Sequence, residues 1–146
     1  MKLAAPERGS VIRYAYLWAE EHRRGREEGR KDRPALVLAL SIVQRDGAAE
    51  VLVLPMTHTP PRNASDAVAV PPDVRRGLRL DEEPGWIVTT EANSFVWPGP
   101  DIRPVPRSRP PSATYGKIPE GLLRKVARSF LANRERQRTA LVRRSV

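Results

Sequence analysis

The sequence predicts a mainly β fold of the α+β class, in which short strands form a small antiparallel sheet or barrel and one helix follows them. Three observations predict it. Most of the 15 prolines fall before residue 112 and exclude long helices there. The apolar segments between these prolines are short and rich in β-branched residues. Only near Pro119 do apolar residues begin to recur at helical spacing.

The chain has 146 residues, which suits one domain better than two. We therefore expect 1–146 to form a single domain. It should consist of a core over about 6–96, a proline-rich segment over 97–116 and a basic helix over about 118–142.

Five segments are predicted to be strands because apolar and β-branched residues dominate them. Residues 35–44 are almost continuously apolar, which predicts a strand buried on both faces. Asp46-Gly47 then suits a tight hairpin turn, so the next strand should return antiparallel. The predicted strands are 10–18, 35–44, Ala49–Thr57, 67–70 and 86–90.

Two segments predict loops. Residues 19–33 are almost wholly charged, contain two glycines and show no apolar periodicity, so we expect a mobile loop rather than a solvated helix. Residues 98–112 contain six prolines and should run extended across the surface.

The predicted helix has an apolar stripe of four-residue spacing, and Pro119 suits its first turn. Past Asn133 the stripe fades into a basic end, which we expect to fray and to contact a polyanion rather than the core. The stripe consists of Ile118, Leu122, Val126 and Phe130.

Charge is unevenly distributed along the chain. The formal net charge is +9, yet residues 1–106 hold 15 basic and 15 acidic residues. Residues 107–146 hold 11 basic and 2 acidic residues, so the whole excess lies there. Localised positive charge favours RNA or DNA as a partner, although a composition rich in Arg, Ala and Pro can arise without any function.

Several function classes lack their motifs. The absence of cysteine excludes disulfide frameworks, thiolate metal sites and cysteine nucleophiles. No phosphate-binding loop, HExxH motif or nucleophile elbow is present, and we expect neither a cofactor nor a metal site. No apolar run has the roughly 18 residues of a membrane span, so we expect a cytoplasmic protein without membrane contact.

Three motifs then occur in a suggestive order. Pro6-Glu7-Arg8-Gly9-Ser10 opens the first predicted strand, Arg33-Pro34 precedes the second, and Pro55-Met56-Thr57 ends the third. Together they resemble the MazF/PemK family of toxin endoribonucleases over roughly residues 6–92. Ser10 departs from the pattern, since that family commonly has an acidic residue after the glycine.

The resemblance implies an SH3-like antiparallel β-barrel, usually a homodimer, that cleaves single-stranded RNA at short sequence motifs without a metal. It also implies a cognate antitoxin protein that occupies the RNA groove. The catalytic residues carried over are Arg33 and Thr57. An arginine can stabilise the charge that builds on phosphorus when a 2′-hydroxyl attacks the adjacent phosphate.

Other residues are candidates for RNA contact. Trp18 and Trp97 flank polar or turn-forming segments and could stack on bases. Glu91 and Asn93 could recognise a base edge. His58 directly follows Thr57 and is included with them.

Three alternatives remain open at this point. Arg33 could merely pair with Glu27 or Glu28, and Thr57 could merely satisfy a strand end. The chain could then be a non-catalytic nucleic-acid-binding barrel with a regulatory role that uses its basic C-terminal helix. It could also be a protein-interaction domain that binds a proline-rich or acidic peptide.

Overall fold

The computed structural model describes residues 5–25, 31–42, 48–136 and 139–144. Within them lie eight strands, three α-helices and a 3₁₀ turn at Ala64–Asp66. No helix in these ranges is long and apolar enough to cross a membrane. In chain order the elements are β1 Ser10–Tyr14, α1 Ala19–Arg23, β2 Arg33–Ile42, β3 Ala49–Thr57, β4 Ala67–Ala69, α2 Pro72–Gly77, β5 Trp86–Val88, β6 Glu91–Val96, β7 Thr114–Lys117, α3 Glu120–Glu135 and β8 Ala140–Arg143.

The strands form one mostly antiparallel sheet in the order β4-β5-β3-β2-β1-β7. The N-terminal half of β3 also pairs with β6, and β8 lies parallel to β6. Among the described residues no ladder joins β4 to β7, so the sheet is open. The α+β class, the antiparallel sheet and the C-terminal helix are as predicted, whereas the sheet is not a closed barrel.

The central strands are buried on both faces because alternate residues point into two separate apolar clusters. Val11 and Leu36 belong to the cluster that packs under α3, together with Val126 of that helix. Ile12 and Val37 face the opposite cluster, which contains most of the aromatic side chains. The apolar run at 35–44 was predicted to be buried on both faces. Residues 35–38 are buried in this way, whereas Leu40 is exposed.

The hairpin of β2 and β3 is confirmed, and β3 has the predicted bounds. The turn expected at 45–48 lies mostly outside the described residues. Three strands were not predicted: β6, β7 and β8. Helix α2 was missed too, although Pro72 at its first position is a usual helix start.

The expectation of a loop at 19–33 was wrong for its first residues, where α1 forms. The Glu21 side chain accepts a hydrogen bond from the Trp18 backbone N–H at 3.2 Å, which satisfies a donor at the helix start. Acidic residues in the first turn also favour the helix through its dipole. Residues 26–30 lie outside the described part of the chain.

The basic helix expected to reach about residue 142 ends at Glu135 instead. Of its predicted stripe, Ile118, Val126 and Phe130 are buried, while Leu122 is half-buried beside the buried Leu123. The chain then returns as β8, which places Val142 and Arg144 inside the protein. Residues 140–143 are thus part of the sheet rather than a frayed extension of the helix.

Candidate functional site: a groove at the ends of β2 and β3

A cavity of about 730 Å³ lies where β2 begins and β3 ends. We call this cavity the groove. Its lining includes Trp18, Arg33, Thr57 and His58, four of the seven residues predicted to act on RNA. The other three, Glu91, Asn93 and Trp97, do not line it.

The β2–β3 register explains why Arg33 and Thr57 share the groove. Ala35 pairs with Pro55 in this antiparallel ladder. Continuing the register by two residues brings Arg33 opposite Thr57, and opposite residues project from the same face of a sheet. The hairpin alone therefore juxtaposes the two predicted catalytic residues.

Arg33 is half-buried and weakly bonded. Among the described residues its only hydrogen bond is a long one, 3.5 Å from Nη1 to the Met56 carbonyl oxygen, and its buried Nε has no partner. Burial lowers the pKa of Arg33 from its ordinary value, while the nearby Glu21 carboxylate opposes that shift. A buried donor without a partner costs about 1–3 kcal/mol. A guanidinium kept in this state is available to an anionic ligand.

Thr57 ends β3 with its hydroxyl at the groove. Its Oγ1 accepts a hydrogen bond of 3.1 Å from the Thr59 backbone N–H. The hydroxyl proton remains free to donate, because a threonine oxygen can accept and donate at the same time. The strand-end role and a substrate-facing role are therefore compatible.

Trp18 forms one wall beside Arg33. The guanidinium carbon of Arg33 lies 4.8 Å from the Trp18 ring centroid, a cation–π contact that orients the arginine. Tyr16 packs edge-on against the Trp18 indole, with ring centroids 5.3 Å apart.

Two of the three aspartates in the groove lining, Asp32 and Asp81, face other basic side chains. Asp32 lies 3.6 Å from both Arg13 and Arg103. Asp81 Oδ2 lies 2.9 Å from His58 Nε2. Neither Asp32 nor Asp81 therefore pairs with Arg33, whose electrostatic carboxylate neighbours are Glu21 and Glu91.

His58 is held on both ring nitrogens. Nδ1 lies 2.8 Å from the Pro84 carbonyl oxygen, and Nε2 faces Asp81 and, at 3.7 Å, Glu83. The Pro84 hydrogen bond, followed by the two carboxylates, raises the pKa of His58. The imidazole ring links β3 to the segment before β5, and both of its nitrogens already have partners.

The same three side chains also have the spacing of metal ligands, with donor atoms within 4.8 Å of one another. Sequence reasoning missed this cluster because the acidic residues lie more than 20 positions from His58. All three are exposed, and the contacts of the two carboxylates with the His58 imidazole account for their proximity.

Glu91 acts from behind the groove. Its Oε1 accepts hydrogen bonds from the Tyr16 hydroxyl at 3.1 Å and the Ala19 backbone N–H at 2.9 Å. Burial raises its pKa, and these hydrogen bonds oppose the shift. Glu91 therefore holds the segment that carries Trp18, and its bonded oxygen is not positioned to recognise a base.

The assignment of Asn93 to RNA contact is corrected by its burial, since none of it is exposed. Its Oδ1 accepts from the Leu17 N–H at 2.9 Å and its Nδ2 donates to the Leu17 carbonyl oxygen at 2.8 Å. The amide thus replaces a strand partner for Leu17, next to Trp18.

Trp97 is likewise not a stacking surface. It is 9% exposed and packs in the aromatic cluster beside Phe95, with ring centroids 6.2 Å apart. Apolar packing has outweighed the turn-forming neighbours that suggested exposure.

Sequence reasoning missed Arg144, the most consequential buried charge. Its guanidinium donates to the Ala15 carbonyl oxygen at 2.8 Å and to Asn93 Oδ1 at 3.2 Å, and pairs with Asp101 at 3.0 Å. Arg144 thereby joins β8 to the segment that carries Trp18. No local pattern distinguishes it from the exposed arginines around it.

Comparisons with known proteins leave the family open. No family model matches the chain, and no curated protein matches it significantly. Functional reasoning therefore depends on the groove itself.

Proposed function

We propose that the chain is a metal-independent endoribonuclease that cleaves single-stranded RNA in the groove. The observation that carries the proposal is Arg33, a half-buried guanidinium with an unpartnered Nε, which lines the same groove as Thr57. The resemblance of the three sequence motifs to MazF/PemK toxins supports the same residues, and a strongly curved, barrel-like sheet is part of this proposal.

The chemistry is an internal transfer at phosphorus. The 2′-oxygen forms a bond to the adjacent phosphorus, and the bond from phosphorus to the 5′-oxygen breaks. The products are a 2′,3′-cyclic phosphate and a 5′-hydroxyl, with water taking the first proton and supplying the second. Arg33 stabilises the charge on the non-bridging oxygens, and Thr57 donates a hydrogen bond to the phosphate.

The decisive experiment is cleavage of a long single-stranded RNA by the purified chain, with mapping of the new 5′ ends. We expect 5′-hydroxyl ends at a recurrent short motif, undiminished by EDTA. Arg33→Ala and Thr57→Ala should each lower the rate by about 10²–10³, the usual effect of losing one such donor.

Matched variants separate chemistry from folding. Thr57→Ser keeps the hydroxyl and should keep most of the activity, whereas Arg33→Lys keeps the charge but loses the planar fork and should not. Arg124→Ala removes an exposed α3 arginine and should cleave normally. Full activity of Arg33→Ala protein would refute the proposal, as would loss in EDTA with rescue by Mg²⁺.

The proposal includes a homodimer in the cytoplasm and an antitoxin protein that covers the groove. An acidic antitoxin segment would bind the same Arg33 guanidinium as RNA does. A small acidic reading frame beside this gene, whose product suppresses cleavage when co-expressed, would support this part.

A second candidate is a nucleic-acid-binding module without catalysis. The observation that favours it is the exposed basic face of α3, which carries Arg124, Lys125 and Arg128. Binding without any new RNA ends, unaffected by Arg33→Ala but weakened by neutral substitutions on α3, would select this candidate.

A further inference from the structure

A second cavity, of about 750 Å³, adjoins the groove. The two share Pro34, Leu80 and Asp81 in their linings, so they form one continuous depression across the surface. We call this second cavity the side cavity. Its basic residues are Arg13, Arg79 and Arg107, against the single carboxylate of Asp81.

Arg79 sits where a helix end favours glycine. The Leu80 N–H donates to the Arg75 carbonyl oxygen and the Arg79 N–H to that of Arg76, both at 3.0 Å, a Schellman ending of α2. The residue after the C-cap is left-handed in this motif, and Arg79 has φ 56°. Glycine is the usual residue there because it has no Cβ to clash.

Arg107 sits in a turn with the same requirement. The Ser108 N–H donates to the Val105 carbonyl oxygen at 3.2 Å, which closes a turn with Pro106 at its second position. Arg107 at the third position has φ 65°, where a type II turn favours glycine or asparagine. Ser108 Oγ also donates to the Val105 carbonyl oxygen at 2.7 Å and fixes the turn.

These two arginines are the only residues other than glycine with positive φ in the described chain, and both line the side cavity. Both are exposed, and neither guanidinium has a hydrogen bond or ion pair anywhere in the described ranges. Local structure therefore gives no reason for arginine over glycine at either position. Strained backbone at a ligand-facing residue points to a binding role.

From this coincidence we propose that the side cavity is a phosphate-binding subsite, in which Arg79 and Arg107 bind the backbone of an RNA strand running on from the groove. This subsite rests on the proposed RNA cleavage, since RNA enters it through the groove. A protonated His58 partly offsets the charge of Asp81 at the junction, although Asp81 shares this imidazole with Glu83. Recognition here is of phosphate, so it contributes affinity without sequence preference.

The test measures binding of a fluorescent single-stranded RNA whose 2′-oxygens are methylated, so that it cannot be cleaved. Wild-type protein is compared with Arg79→Gly/Arg107→Gly over a range of salt concentrations. The control, Arg124→Ala/Arg128→Ala, removes the same two charges from the exposed face of α3. Thermal unfolding is measured for all three proteins.

We expect the glycine pair to bind RNA roughly tenfold more weakly, since two phosphate contacts are lost. The slope of log K against log salt should flatten by about 1.4, at roughly 0.7 per phosphate on a single strand. The same variant should unfold at an equal or higher temperature, because glycine relieves the left-handed strain. The α3 pair should change the slope less.

Unchanged affinity and slope in the glycine pair, with wild-type binding intact, would overturn the subsite and leave the proposed cleavage standing. A greater effect of the α3 pair would also overturn it, because the phosphate contacts would then lie on the helix. Wild-type protein that neither binds nor cleaves RNA would overturn the proposed function, and the subsite with it.

Discussion

Replacing Arg144 by alanine should destabilise the whole sheet, although this residue is only the third from the end of the sequence. Its side chain is 3% exposed and that of its partner Asp101 is 12% exposed, so the ion pair is almost fully removed from water. Arg144→Ala leaves the Asp101 carboxylate buried without its counter-charge. Breaking such a pair costs about 3–5 kcal/mol, against a total stability of about 5–15 kcal/mol for a domain.

Urea unfolding followed by tryptophan fluorescence measures this loss. With a slope of about 1.5–2 kcal/mol/M, the midpoint should fall by roughly 1.5–3 M. Arg143→Ala, at the exposed neighbouring position, should change stability by less than about 0.5 kcal/mol.

A second substitution tests the reason for the loss. Adding Asp101→Asn to the Arg144→Ala protein should restore part of the stability, because it removes the orphaned charge. A loss below about 1 kcal/mol for Arg144→Ala, or no recovery in the double variant, would refute the argument from burial.

Three further changes have defined outcomes. Asn93→Leu leaves the backbone N–H and C=O of Leu17 unpaired in the core. The free energy of unfolding, measured by urea titration, should therefore fall by about 2–4 kcal/mol. A variant as stable as the wild-type protein would contradict the assigned hydrogen bonds. The raised pKa of His58 means that its ion pair stabilises the fold below about pH 6.5 and ceases to do so as pH rises through the folded-state pKa. His58→Gln should therefore lower the free energy of unfolding by up to about 1 kcal/mol near pH 5.5 and leave it unchanged near pH 9. Gly9→Ala should lower the free energy of unfolding by about 1–2 kcal/mol. Gly9 has φ 93°, and an added Cβ would lie 3.3 Å from a Leu123 methyl group. An unchanged melting temperature would show that the backbone relaxes there.

The sheet centre was predictable because its information is local. The apolar run of β2, the Asp46-Gly47 signal and the return of β3 lie within 25 consecutive residues, from Arg33 to Thr57. Their antiparallel pairing alone brings Arg33 and Thr57 together. The part of the groove that depends on this hairpin could therefore be predicted from sequence.

The elements that were missed depend on distant partners. Strand β6 contains Glu91, Asn93 and Ser94, whose polarity argues against a buried strand when only neighbours are considered. Their burial becomes favourable only with partners such as the Leu17 backbone, 76 residues away. Strand β8 has four residues and pairs in parallel with β6, so the sequence contains no hairpin turn that would predict it.

The location of the positive charge likewise could not be predicted from sequence alone. By sequence the whole excess of +9 lies in residues 107–146, which suggested that the C-terminal end supplies RNA affinity. In the fold, however, Arg144 is neutralised inside the protein by Asp101. The buried charge cannot release counterions when RNA binds, so it adds nothing to the salt dependence of binding. The arginines that can do so are exposed and unpaired ones such as Arg79 and Arg107, and the first of these lies outside the segment that carries the excess. Where the proposed RNA contacts lie therefore depends on which cations the fold leaves without a partner, rather than on where basic residues are most frequent.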